Sequence, residues 1–460
     1  MGNNVIKILK MEIKFLLDAF STSKSDTAMV WNNKQVTYGD LLTQVESAHN
    51  VLITNGIIPG EVVALKGDFT PFTIALLLSL IKNRNIIVPF NNPMTKSEIV
   101  KYEIAKVQKS IAIDIETDSY TVQNMGFSGE HKYYKDLRTL KAPGLVLFSS
   151  GTSGAPKAAV HNFSKLLNKF RTPRKSLRTI NFLLFDHWGG LNTLFHTLSN
   201  CGVVLAVYDR TPDYVCKYIQ DNKVELLPVS PTFLNLLILS ETYKRYDLSS
   251  IRLISYGTEP MPQSTLERSQ AIFPNVKFQQ TYGLIELGVL RSKSKSSDSL
   301  WVKLGGEGYD LRVVNNTLEI KSDTAILGYL NADTPFTSDG YFITGDQVET
   351  DGEYYKILGR KSELINVGGE KVYPQEVESA ILELNNVLEV TAYGQSHILT
   401  GNIVCVKVVL RENEEKKAFQ TRLRKHCRER LKPFQIPVKI EIIEDNLYSH
   451  RFKKKRNFDQ

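Results

Sequence analysis

Apolar and polar positions alternate over the first 290 residues in blocks that switch between helical and strand periods. Residues 5–20 place Val5, Leu9, Ile13, Leu16, Leu17 and Phe20 at helical spacing. That stripe predicts a helix packed on a core or lid. A membrane-surface helix is the alternative, because Lys7, Lys10 and Lys14 accompany the stripe. Val36-Thr37-Tyr38-Gly39-Asp40 reads as a strand end running into a helix start with a capping threonine and aspartate. Residues 61–66 and 85–90 predict strands on either side of an apolar helix at 71–82. Further strands are predicted at 110–114, 144–148, 181–185, 202–208, 226–229 and 253–256. Strands separated by helices argue for a parallel α/β sheet.

The pattern changes after about residue 290. Residues 292–298 read as a polar loop. From 301 to 357 the segments are short, punctuated by Gly305-Gly306, Asn315-Asn316, Ser338-Asp339-Gly340 and Asp351-Gly352. This predicts a small antiparallel β unit of barrel-like form. A second change falls at Gly359-Arg360-Lys361-Ser362. Beyond it come helices at 373–384, with Pro374 in the first turn, and at 414–431. Strands are predicted at 387–393, 403–409 and 438–443. The expected organisation is a large N-terminal domain over 1–360, with a β-rich subregion at about 291–358, and a small α+β C-terminal domain over 361–460.

A chain of 460 residues is too long for one core. Its net charge of +8 favours an acidic ligand or partner. Residues 416–456 hold 14 Lys or Arg against 4 Asp or Glu, which suits a solvated face or a dock for phosphates or an acidic protein. Cys201, Cys216, Cys405 and Cys427 form no CxxC pair, so a reduced, cytoplasmic protein is expected. No His pair at i,i+4 suggests zinc. The longest apolar run, residues 72–81, is too short to span a bilayer, and no cleavage or myristoylation signal is read at the N-terminus. No stable membrane insertion and no nucleic-acid partner are expected.

The strongest chemical signal is Leu145-Val-Leu-Phe-Ser-Ser-Gly-Thr-Ser-Gly-Ala-Pro-Lys157. A buried strand runs into a loop of small, hydroxylated and glycine residues: Ser149, Ser150, Gly151, Thr152, Ser153 and Gly154, closing on Lys157. Such a loop brings backbone N–H groups and hydroxyls close to one anion, and the lysine adds a point charge. The expected ligand is a polyphosphate. The Walker pattern is excluded, since the lysine follows no glycine and precedes no Ser or Thr. A plain Ser/Gly surface loop is the competing reading.

With this loop and the segments that follow, the chain resembles the adenylate-forming superfamily from about residue 30 onward. That superfamily includes acyl-CoA synthetases, aryl-acid ligases, peptide-synthetase adenylation domains and firefly-type luciferases. The further motifs, in the family's order, begin with Tyr256-Gly257-Thr258-Glu259-Pro260 and Gln280-Thr-Tyr282-Gly283-Leu-Ile-Glu286. Tyr341-Phe-Ile-Thr-Gly-Asp346, Gly359-Arg360-Lys-Ser362 and Arg451-Phe-Lys453-Lys-Lys-Arg456 follow. The resemblance implies that residues 256–260 lie along an adenine, that Tyr282 stacks near it, and that Asp346 grips the ribose. It implies that Glu286, with the Thr152 hydroxyl, holds Mg2+, and that ATP is a substrate. Lys453 alone among the three lysines has the Lys-x-x-Arg spacing, so it is the expected adenylation lysine. Ser362, where the family has Asp or Lys, is the expected hinge of a mobile C-terminal domain. Arg360 joins the nucleotide-binding set.

The implied reaction activates a carboxylic acid as acyl-AMP with release of pyrophosphate. The acyl group then passes to a pantetheine thiol, of CoA or of an acidic carrier protein. His187-Trp188-Gly-Gly resembles the acyl-CoA branch, while Phe185-Asp186 echoes the amino-acid branch. Expected acid-pocket residues are His187, Trp188, Ser230, Thr281, Val289 and Leu290. Ile285 replaces the family's threonine and Phe452 replaces a glycine. These two departures keep open a non-catalytic nucleotide-binding relative, and a luciferase-like oxidase shares every motif.

Overall fold

The computed structural model describes residues 12–91, 96–149, 156–449 and 452–456. Two seven-stranded sheets carry the N-terminal part. The first runs Lys277–Gln280, Leu253–Tyr256, Leu226–Val229, Arg178–Asn181, Val203–Ala206, Thr27–Trp31 and Lys34–Thr37. All neighbours are parallel except the last hairpin. The second runs Gly328–Tyr329, Lys157–Asn162, Gly144–Ser149, Ile86–Phe90, Val62–Lys66, Lys109–Ile113 and Tyr120–Asn124. Its middle is parallel and both margins are antiparallel.

The side-chain period of two distributes each strand over two cores. Met29 and Val204 face the space between the sheets, whereas Val30 and Leu205 face outward. Ile87 and Leu145 face inward from the second sheet, and Ile86 and Val146 outward. Helices Tyr38–Thr54, Pro71–Lys82 and Trp188–Ser199 fill the space between. Lying between two sheets, the helix Pro71–Lys82 is apolar nearly all round, with Ile74 to Ile81 buried. The expected start of Tyr38–Thr54 is present: Thr37 Oγ1 accepts the Asp40 N–H at 3.0 Å, and Asp40 accepts the Thr37 N–H at 2.9 Å.

From Arg291 a six-stranded antiparallel sheet curls into a half-barrel, in the order Arg291–Ser294, Trp301–Gly305, Tyr354–Arg360, Phe342–Asp351, Thr317–Ser322 and Tyr309–Val314. The last 95 or so residues build a five-stranded sheet with helices Pro374–Leu382 and Lys416–Arg430 around a core of their own. No described helix is long and apolar enough to cross a membrane.

Two sequence expectations need correction. The strand expected at 181–185 lies earlier, at Arg178–Asn181. The Phe-Leu-Leu-Phe run has the composition of a strand, but it is a connection buried by aromatic packing. Phe182 meets Phe233 at 4.3 Å and Phe185 meets Phe69 at 5.5 Å between ring centroids. The polar loop expected from 292 is partly an edge strand, whose charged residues suit its exposed margin. The strands on either side of residues 150–155, Gly144–Ser149 and Lys157–Asn162, pair antiparallel. In the N-terminal stripe, Ile13, Leu16 and Phe20 are buried in the core between the sheets, which fits a core-packing helix; Val5 and Leu9 lie outside the described residues.

Candidate active site

Three parallel strands, Leu226–Val229, Leu253–Tyr256 and Lys277–Gln280, end on one edge of the first sheet. Their following residues are therefore gathered there by topology. Gly257 is required by closeness: a Cβ on it would sit 2.4 Å from Thr281 Oγ1 and 2.7 Å from the Thr281 carbonyl. Thr281 Oγ1 donates to the Tyr256 carbonyl at 3.0 Å, tying the two strand ends together. Thr258 holds φ at 72°, a conformation that a β-branched residue rarely adopts. Its hydroxyl is buried without a hydrogen-bond partner. Thr258, His187, Arg210, Phe452 and Lys453 line one cleft of about 330 Å³, with residues 182–184 as a wall. His187 Nδ1 also accepts the Gly189 N–H at 3.0 Å, capping the helix Trp188–Ser199.

The half-barrel supplies a second group. Tyr282 donates to Asp346 Oδ2 at 2.6 Å, and Arg360 Nε lies 2.8 Å from Asp346 Oδ1. Asp346 is 6% exposed. Burial raises its pKa, opposed by the Arg360 guanidinium and the tyrosine hydroxyl. Both oxygens are engaged, but each carboxylate oxygen keeps a further lone pair for a diol. Tyr282 itself is buried in the half-barrel core.

Glu286 forms a third group. Tyr329 donates to its Oε1 at 2.5 Å, and Lys157 Nζ lies 5.6 Å from the centre of the Tyr329 ring. Among the described residues the second Glu286 oxygen takes no hydrogen bond. The groups sense one another: burial raises the pKa of both Asp346 and Tyr329, the Glu286 charge adds to it in each, and Arg360 opposes it. One carboxylate with a spare oxygen is the kind of protein ligand that Mg2+ uses beside substrate phosphates. Thr152, with Ser150, Gly151, Ser153 and Gly154, lies outside the described residues. Ser149 ends the strand before them and Lys157 begins the strand after them.

Glu259 accepts the Thr232 N–H at 2.8 Å and the Lys454 N–H at 3.3 Å, fastening the C-terminal segment to a helix start. Pro260 borders a neighbouring cleft with Thr232, Glu378 and Lys454. Lys454 Nζ lies 2.8 Å from the buried Glu378, which Arg456 also holds at 3.0 Å. Of the tail lysines, only Lys453 lines the cleft with Thr258 and His187. Gly283 lies where a Cβ would meet the Gly288 carbonyl at 2.7 Å.

The expected pocket residues divide. Ser230 is fully buried and caps the helix Pro231–Ser240 by accepting the Phe233 N–H at 3.1 Å. Leu290 packs in the half-barrel core. These two side chains are taken up by capping and packing. Trp188 and Val289 lie against each other's elements beside the inter-sheet core. Ser362 is exposed on a short turn, Lys361–Glu363.

Sequence reasoning missed Arg210 and Tyr329. Arg210 pairs with Asp68 at 3.4 Å and donates to the Phe182 carbonyl at 2.6 Å. Neither belongs to a repeated spacing, so only the fold brings it to the site. The two departures are both accommodated. Ile285 packs beside Ala159 and Tyr329, and its carbonyl takes the His161 Nε2 hydrogen at 2.7 Å. Burial pushes His161 down to about 4, so the ring is neutral and Nε2 is its donor. Phe452 has φ 51°, the left-handed region in which glycine is at ease, and its ring lies 5.3 Å from Phe182 and 5.7 Å from Phe233.

The family model described as AMP-binding enzyme matches residues 18–342, and that of the AMP-binding enzyme C-terminal domain matches residues 376–454. The chain belongs to the AMP-binding enzyme family. Among the family's curated members, a 2-succinylbenzoate–CoA ligase of Listeria innocua is 26% identical across 92% of this chain and 93% of its own length. An indoleacetate–CoA ligase of Aromatoleum aromaticum is 27% identical over 58% of each chain. Among solved structures, the anthranilate CoA ligase AuaEII in complex with anthranoyl-AMP superposes with TM-score 0.81 at 19% identity, covering 96% of this chain and 95% of that one. The o-succinylbenzoate CoA synthetase from Bacillus subtilis with its acyl-adenylate gives TM-score 0.75 at 19% identity, covering 96% of each. The family's fold is thus present over nearly the whole chain: a large α/β part, a half-barrel and a small C-terminal part.

Proposed function

We infer that this member of the family is an ATP-dependent acid–thiol ligase. It activates a carboxylic acid as acyl-AMP, releases pyrophosphate, and passes the acyl group to the pantetheine thiol of CoA. The observation that carries this reading is the cleft lined by Lys453, Thr258 and His187, at the sheet edge from which Tyr282 reaches the Asp346–Arg360 pair of the half-barrel. Two anions, a carboxylate and a triphosphate, must be brought together. A lysine between them offsets charge as it develops on the α-phosphate oxygens.

The nucleotide is held at three places. Loop residues 149–157 take the β- and γ-phosphates, Asp346 accepts from the ribose hydroxyls, and residues 256–260 flank the base. Mg2+ is held by Glu286 with Thr152 and neutralises phosphate charge when bound. The C-terminal domain begins at residue 361 and turns about Ser362 between the two half-reactions. CoA is favoured over a carrier protein because the curated relatives cited above are CoA ligases. A non-amino, aromatic acid is favoured for the same reason. In addition, the aspartate that would pair an α-amino group, Asp186, is 9% exposed and already accepts from Asn91 at 2.7 Å. Four unpaired cysteines and the need for ATP suit the cytoplasm.

The test is acid-dependent exchange of labelled pyrophosphate into ATP over aromatic, fatty and amino acids, followed by CoA and carrier proteins as acceptors. Exchange with an aromatic acid and thioester formation on CoA are expected. No exchange with any acid overturns the reading in favour of a non-catalytic relative.

A further inference from the structure

The fold divides the basic run near the end of the chain. Lys454 and Arg456 are held by Glu378, and Arg422 by Glu414 at 2.6 Å. Arg430 pairs with Glu383 at 2.7 Å and Lys439 with Glu441 at 2.8 Å. Arg424, Lys425, Arg428 and Lys432 form no ion pair among the described residues. Arg424 is half-buried and the other three are exposed.

These cations gather at one end of the C-terminal sheet. Strands Gly401–Leu410 and Lys439–Ile442 are parallel, with Lys439 opposite Cys405. The helix Lys416–Arg430 connects them and so runs the other way. Its side-chain bonds show the direction: Gln420 Nε2 donates to the Ile440 carbonyl at 2.9 Å, and Arg424 Nη2 to the Val438 carbonyl at 3.0 Å. The end of the helix and Lys432 therefore lie toward the start of the strand Gly401–Leu410.

Beyond that end stands a hairpin tip. Strands Val387–His397 and Gly401–Leu410 pair as far as His397 and Gly401, and residues 398–400 close the turn. Ile398 is 101% and Leu399 87% exposed, and no other large apolar residue among the described ones exceeds 64%. The tip is pinned. The Gly368 N–H donates to the Thr400 carbonyl at 2.8 Å, and Asn402 Nδ2 to the Asn366 carbonyl at 3.2 Å. Polar residues and glycine are usual in such turns, so an aliphatic pair there points to a contact. The adjoining hairpin adds Glu370 and Lys371, one charge of each sign.

Gly401 lies four residues before Cys405, so the tip projects about 13 Å past the start of Lys439–Ile442. An element that enters a bilayer interface sinks about 5–10 Å. The cations behind the tip then stand within about 8–10 Å of the lipid phosphates, the screening length at physiological salt. A bilayer has phosphates at its face and hydrocarbon beneath. This end of the protein matches that order, with aliphatic side chains leading and cations behind. An acidic protein offers its anions and apolar groups at one level, which suits a staggered arrangement less well.

We propose that this end of the C-terminal part docks reversibly on an anionic membrane surface, with Ile398 and Leu399 in the acyl boundary and Arg424, Lys425, Arg428 and Lys432 facing the lipid phosphates. Such docking goes beyond the ligase reading and does not depend on it. Two aliphatic side chains alone hold a bilayer only weakly, and each cation near an anionic leaflet adds about five-fold in binding.

The test is flotation of the full chain with vesicles of phosphatidylcholine, alone or with roughly one-third phosphatidylglycerol, at low and high salt. Binding to the anionic vesicles is expected, lost at high salt and absent with the neutral ones. Lys425→Ala with Arg428→Ala should weaken it about 25-fold. Ile398→Ser with Leu399→Ser should weaken it about 10- to 100-fold. All four side chains are exposed, so each variant should keep the wild-type urea midpoint, which separates lost docking from a lost fold. Lys425→Arg with Arg428→Lys should bind as wild type does. No binding to anionic vesicles, or binding that either weakening pair leaves unchanged, overturns the inference. Self-association that Ile398→Ser with Leu399→Ser abolishes, without vesicle binding, overturns it in favour of a second copy. Binding of an acidic carrier protein to the basic face, without vesicle binding, overturns it likewise.

Discussion

Asp346, proposed above to accept from the ribose hydroxyls, is buried between opposing influences. Burial works against its ionisation, and Arg360 and Tyr282 work for it. Asp346→Asn keeps the shape and removes the charge that both partners use. KM for ATP should rise about ten-fold or more, since hydrogen bonds to charged groups contribute roughly 1.5–3 kcal/mol, as measured in the exchange assay at varied ATP. Lys453→Ala should lower acyl-adenylate formation by about 10²–10³. Thioester formation from supplied acyl-adenylate should largely survive, and equal loss of both steps would remove Lys453 from its assigned role. The spacing to Arg456 selects Lys453 over Lys454 in the sequence; in the structure Lys453 lines the cleft with Thr258 and His187, and Lys454 pairs with Glu378. Tyr329 and Arg210 were not legible. Each acts on a partner more than 40 residues away, at Glu286 and Asp68 respectively, and no local pattern records such a meeting.

At the scale of elements, patterns with a local cause were legible and those set by tertiary packing were not. The Thr37–Asp40 capping box and the strands at 226–229 and 253–256 follow from short-range chemistry, and all are present. The strand at 181–185 failed because buried aromatics look alike whether they pack in a ladder or in a connection. The antiparallel strand Lys157–Asn162 was not foreseen, because its short apolar run carries no sign of direction. The capping box gives a measurable quantity. Thr37→Ala removes an acceptor from the Asp40 N–H and should cost about 1 kcal/mol, seen as a lower urea midpoint with unchanged slope.

For the molecule as a whole, Glu378 joins the C-terminal core to the tail. It is 1% exposed and accepts from Lys454, Arg456 and the Ala392 N–H. Despite burial, which acts to raise it, these partners hold its pKa down to about 2. A carboxylate depressed below its ordinary value of 4.5 contributes stability above pH 4.5, and loses it as pH falls toward 2. The contribution is roughly 3 kcal/mol. Glu378→Gln should therefore destabilise the protein at pH 7 and flatten the fall in urea midpoint between pH 5 and 3. Ser362→Pro should slow thioester formation more than adenylation, because a proline ring stiffens the turn about which the C-terminal domain is proposed to swing. If both half-reactions slow alike, the pivot lies elsewhere.

Phe452 is wedged between Phe182 and Phe233 and stacked on Tyr448, whose ring centre is 5.8 Å away. Phe452 is therefore a stopper in an oily socket. A protease that clips the polypeptide just ahead of Tyr448 would leave that socket open to water, and the shortened enzyme would be adhesive and prone to precipitate before its loss of turnover was noticed.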